Sequence, residues 1–83
     1  MEHKSESEVS DTLVSILDGA IESEIESEQK YLRAAELACD TRVRDFLISL
    51  AEMEREHKEL LTKQLEELRA QMKVVDEMND MFV

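Results

Sequence analysis

The sequence predicts an all-α fold, a two-helix antiparallel hairpin, on three observations. The 83 residues include no Pro and a single Gly, whereas a sheet protein needs turn residues throughout. Apolar residues recur at threes and fours from Leu13 to Ala38 and again from Val43 to Val75, which is the period of a helix stripe and not the alternation of a strand. One short segment, Cys39-Asp40-Thr41, interrupts that period.

The elements follow in order. Residues 1–9, MEHKSESEV, are nearly free of apolar side chains and are expected to form a disordered polar lead-in, with His3 inert inside it. Ser10 or Asp11 is placed to cap a first helix over residues 11–38, just before the apolar run LVSIL. Gly19 costs that helix about 1 kcal/mol relative to Ala, which its helix-favouring neighbours absorb. Asp40 or Thr41 is placed to cap a second helix over residues 41–78, so residues 10–83 make up one hairpin.

Charge and composition narrow the function classes. Twenty-one acidic residues against ten basic ones give a net charge of −11. Such a field repels phosphate backbones and anionic lipid surfaces and concentrates cations, so neither nucleic acid nor membrane is expected as a partner. Cys39 is the single cysteine, which excludes an internal disulfide or a four-cysteine metal site and leaves it as a turn residue. No run approaches the ~20 apolar residues of a membrane span, and the N-terminus has no signal-type apolar core; cytoplasmic residence is expected. Met53, Met72, Met78 and Met81 read as packing or oligomer contacts.

Three polar residues sit where the stripes predict apolar ones. At 100° per residue, Leu13, Leu17, Ala20, Tyr31, Ala35 and Ala38 all fall within about 40° of Glu24, while Glu22, Glu26, Arg33 and Glu36 lie opposite. Glu28 stands on the edge of the same stripe. On the second helix Val43, Leu47, Leu50, Glu54, His57, Leu61, Leu65 and Leu68 form one seam, and Glu54 and His57 occupy consecutive places on it. Glu52, Arg55, Glu56 and Glu59 point elsewhere. In an antiparallel hairpin Glu24 and the Glu54/His57 pair come to the same height, about 23 Å from the turn.

One hairpin cannot bury two apolar stripes, so an obligate homodimer forming a four-helix bundle is expected. Its interior would hold Glu24, Glu54 and His57 from each copy. Four carboxylates gathered there need compensation, and two divalent cations balance them when both imidazoles are neutral ligands. A Glu from each of two helices plus a Glu-x-x-His from each of the other two is the ligand set of di-iron and di-manganese carboxylate bundles. Oxygen donors with one imidazole per metal suit Fe²⁺ or Mn²⁺. A metal-free alternative treats Glu54 and His57 as a hydrogen-bonded layer that sets the register of a helical dimerisation module. Tyr31 is open to two roles, a core tyrosine or a hydroxyl leaning back toward Glu24 to orient its carboxylate.

From AIESEIESEQKYLRAAELA to FLISLAEMEREHKELL the chain resembles the rubrerythrin branch of the ferritin-like superfamily. Ala20, Glu24, Tyr31 and the Glu54-Arg55-Glu56-His57 motif carry the resemblance, in order. It implies that Glu24, Glu54 and His57 are the metal-binding and catalytic residues, with Tyr31 beside them. Standard members carry four helices and two motif copies; this half-length pattern is similar to the encapsulated ferritins, whose two-helix protomers build a di-iron ferroxidase site between subunits and can assemble into rings of dimers. The resemblance implies a ferroxidase that oxidises Fe²⁺ for iron storage or detoxification, with two Fe per dimer or Mn²⁺ in their place. A rubrerythrin-like peroxide reductase or a manganese oxidase would use the same ligands. Glu26 matches one position of an outer metal-entry site in that group, and Ser23 departs at the other. An encapsulin shell is a further partner the resemblance raises, although the C-terminal MNDMFV shows no evident docking tail.

Overall fold

The computed structural model describes the backbone of residues 6–81 and the side chains of residues 8–74, 77 and 78. Its architecture is two long helices, α1 (Glu6–Leu37) and α2 (Thr41–Met81), packed against each other with no strand among the described residues. The remainder of the expected polar lead-in, His3 included, lies outside the described residues, as does the end of MNDMFV.

Helix α1 begins at Glu6, inside the stretch expected to be disordered and upstream of the expected caps. Ser10 and Asp11 are therefore interior helix residues. The stretch ESEVS contains no breaker, and acidic residues in a first turn interact favourably with the helix dipole. The Thr12 hydroxyl donates to the Glu8 carbonyl at 2.8 Å, a bond within the helix that leaves the ladder intact. Helix α2 likewise runs past residue 78 to Met81.

The turn is where the sequence placed it. Asp40 caps α2: its Oδ1 accepts the Arg42 N–H at 2.7 Å, and its carbonyl accepts the Arg44 N–H at 3.0 Å. A capping carboxylate of this kind is worth about 1 kcal/mol. The Arg44 guanidinium reaches back to the Ala38 carbonyl at 2.9 Å, and the Ala38 N–H donates to the Ala35 carbonyl at 3.2 Å, so the open end of α1 is satisfied by a tightened last turn and an arginine. No described residue has positive φ; this turn needs no glycine.

The hairpin measures 64 × 28 × 13 Å with a radius of gyration of 18.9 Å, whereas a compact globule of this length has about 12 Å. Thirteen ångströms is the thickness of one helix with its side chains. A single layer encloses little, and only Ala35, Ala51 and Leu65 form a buried core among the described residues. Leu13 and Val43, expected on the packed stripes, remain exposed, because one neighbouring helix covers only part of a stripe this wide. The accessible surface is 6967 Å², against roughly 5,100 Å² for a compact monomer of this mass. Asp18–Arg69 at 3.5 Å and Glu28–Arg55 at 3.7 Å are ion pairs between the two helices. No helix among the described residues is long and apolar enough to cross a membrane.

Candidate metal centre

Two features of the hairpin decide where the polar seam residues meet. Ala35 and Ala51 are the buried small residues on the two facing stripes, and small residues let helix axes approach closely. Ala51 comes one turn before Glu54 on α2, so a small buried side chain lies next to the place where the acids project. The antiparallel register then sets Glu24 of α1 against Glu54 and His57 of α2.

Each of Glu24, Glu54 and His57 offers a ligand atom, and these atoms lie within 4.8 Å of one another. The His57 Nδ1 is 3.6 Å from Glu24 Oε2, beyond a hydrogen bond. Glu24 Oε2 is buried and accepts no hydrogen bond. An orphaned buried carboxylate oxygen carries an uncompensated desolvation cost, which a cation beside it would remove. Donors on one cation at about 2.1 Å lie no more than about 4.2 Å apart, so small side-chain rotations would close this group. Two carboxylates with one imidazole are a hard, oxygen-rich set that fits Fe²⁺ or Mn²⁺. The residues present fit such an ion.

The group is open on one side. The Glu24 side chain is 22% exposed and that of His57 is 51% exposed. At 100° per residue His57 projects from the flank of α2 that also carries Phe46, Met53 and Leu60, all exposed apolar residues. The half-site thus faces out of the hairpin on an apolar flank.

The remaining residues divide. Tyr31 is half-buried, and no hydrogen bond joins it to Glu24 among the described residues. Glu26 is exposed and lies away from the group, lining an open depression with Lys30 and Arg33. Glu28 is outside the ligand-distance group, yet its Oε2 is also buried without a hydrogen bond. Arg55, which the helical period sends to solvent, places its Nε 3.7 Å from that oxygen. Level alone sets Glu28, one turn nearer the hairpin turn than Glu24, against residues that precede Glu54; the long side chain of Arg55 closes the offset, and a wheel of one helix does not display how far an arginine can reach across to the other.

The sequence model of the rubrerythrin family matches residues 2–79. The chain belongs to the rubrerythrin family. No curated protein and no solved structure matches it. As a rubrerythrin, the chain is a ferritin-like domain, and its two helices are consistent with a half-ferritin form. Rubrerythrin membership implies a carboxylate metal site and, typically, oxidoreductase chemistry. In this rubrerythrin the Glu24–Glu54–His57 group is the candidate for that site.

Proposed function

We propose that two hairpins pair through their site-bearing flanks into a four-helix bundle, whose paired half-sites hold two iron ions and oxidise Fe²⁺. The observation that carries this reading is the convergence of Glu24, Glu54 and His57 from two helices to within 4.8 Å. The buried, unpartnered Glu24 oxygen supports it. Pairing is supported by the surface the hairpin leaves open, which exceeds that of a compact chain by roughly 1,900 Å², more than the ~800 Å² per partner of a standard interface. Phe46, at 62% exposure, and Leu60, at 64%, are the kind of side chains a second copy would cover.

In this reading Glu24 and Glu54 supply the negative charge that retains divalent cations. His57 contributes a neutral nitrogen, fixes one direction of approach and leaves the charge count unchanged. A bound metal pair supplies electron transfer from Fe²⁺ to O₂ or peroxide. The apolar flank around His57, once covered, excludes bulk water from the donors and strengthens their hold on a cation. The acidic surface raises the local concentration of incoming Fe²⁺. Larger rings of dimers and residence in the cytoplasm or inside a protein shell belong to the same reading.

The test is metal content together with the rate of Fe²⁺ oxidation, compared between monomer and dimer fractions. Activity confined to dimers is expected, and Glu54→Ala and His57→Ala should lose metal while keeping their helicity. Wild-type metal content in both variants, or full activity in isolated monomers, overturns the reading. Turnover with peroxide but not O₂ points to a peroxide reductase at the same ligands; loss of all metal response points to a metal-free dimerisation module.

A further inference from the structure

We propose that Arg55 withholds Glu28 from the ligand set and thereby fixes the charge of the metal centre; this rests on the metal reading above. Glu28 follows Glu24 by one helical turn, the spacing at which side chains on one helix are neighbours. The two carboxylates share one condition: each has an Oε2 that is buried and accepts no hydrogen bond. They differ in what stands opposite. Glu24 faces His57 at 3.6 Å, whereas Glu28 faces the Arg55 Nε at 3.7 Å. The seam therefore holds a third carboxylate beside the site, held by a cation that is part of the protein.

The consequence is a matter of charge. Glu24 and Glu54 together carry −2, which one divalent cation per hairpin neutralises. An uncompensated Glu28 would make it −3, so a divalent ion would leave a residual buried charge or draw Glu28 into coordination. Arg55 cancels that charge, and a guanidinium stays protonated throughout the physiological range. The Arg55 side chain is 53% exposed and that of Glu28 18%, so the arginine reaches the acid from the solvent side and its replacement creates no cavity. Arg55 is thus a positioning residue, acting through Glu28, and its immediate sequence neighbour Glu54 stays free for the metal.

Mn²⁺ binding to the full chain, followed by titration calorimetry and helicity, tests this without any turnover. Arg55→Gln should tighten Mn²⁺ binding at least threefold or raise the stoichiometry above the wild-type value. Arg55→Lys, which keeps the charge, should behave as wild type. The double variant Arg55→Gln with Glu28→Asp keeps the freed charge but shortens its reach, and should lose the gain. Binding by Arg55→Gln at wild-type stoichiometry and within threefold of wild-type affinity overturns the proposal, and so does a gain that survives Glu28→Asp, which would assign the effect to long-range charge alone. Absence of Mn²⁺ binding by the wild-type chain instead overturns the metal centre itself, a separate result.

Discussion

Replacing Ala51 by Leu tests whether close helix approach is what assembles the metal centre. Ala51 is 0% exposed, so the added carbons of a leucine must push neighbouring side chains apart. Helix axes pack 8–10 Å apart depending on the side chains between them, and exchanging alanine for leucine moves a pair from the near end toward the far end, about 2 Å. The donor atoms lie within 4.8 Å of one another, a span that small side-chain rotations bring to the ~4.2 Å one cation can bridge; opened by that further amount, they are out of reach of such rotations. Overpacking itself costs about 1–3 kcal/mol, or roughly 4–8 °C of Tm for each kcal/mol in a chain of this size. In thermal unfolding followed by circular dichroism at fixed protein concentration, Mn²⁺ at a hundred times Kd adds about 2.7 kcal/mol per site to the wild type. That corresponds to a rise of about 11–22 °C. The Ala51→Leu chain should melt lower without metal and gain little with it. A variant that keeps the wild-type Mn²⁺ increment refutes the link between alanine packing and the site.

Two further outcomes follow from the same structure. Gly19 has nothing within 4 Å of the position a Cβ would take, so Gly19→Ala should stabilise the helix by about 1 kcal/mol, read as a higher Tm; a lower Tm would place a neighbouring copy against that face. Phe46→Glu, on the open flank, should shift the oligomer toward monomer in sedimentation and lower metal content with it, while changing monomer helicity little; an unchanged oligomer moves the interface to another face.

Much of the fold was legible in the sequence because helix formation is local. The absence of Pro, the three-and-four spacing and the Asp40 cap place two helices and their turn without reference to distant residues, and Asp40 does cap α2. The start of α1 was not legible, since Ser10 and Asp11 have good capping chemistry yet serve equally well inside a helix that Glu6 can begin. Burial was legible only as a pattern. The stripes of α1 and α2 are both wider than one neighbour covers, so Leu13 and Val43 occupy packed positions on the wheel and exposed ones in the hairpin.

The candidate centre divides along the same line. By itself the sequence determined that Glu24, Glu54 and His57 occupy apolar seams at one height, because helical rise and period are fixed by the backbone and any antiparallel hairpin with this turn carries them there. Which side chains touch was decided only by the tertiary structure. Small buried alanines leave the helices room to approach, the donor atoms converge to within 4.8 Å, and Arg55 reaches across to Glu28 although its place on the wheel faces solvent. Side-chain reach and interhelical distance are properties of two helices together, and no period read along one of them contains either.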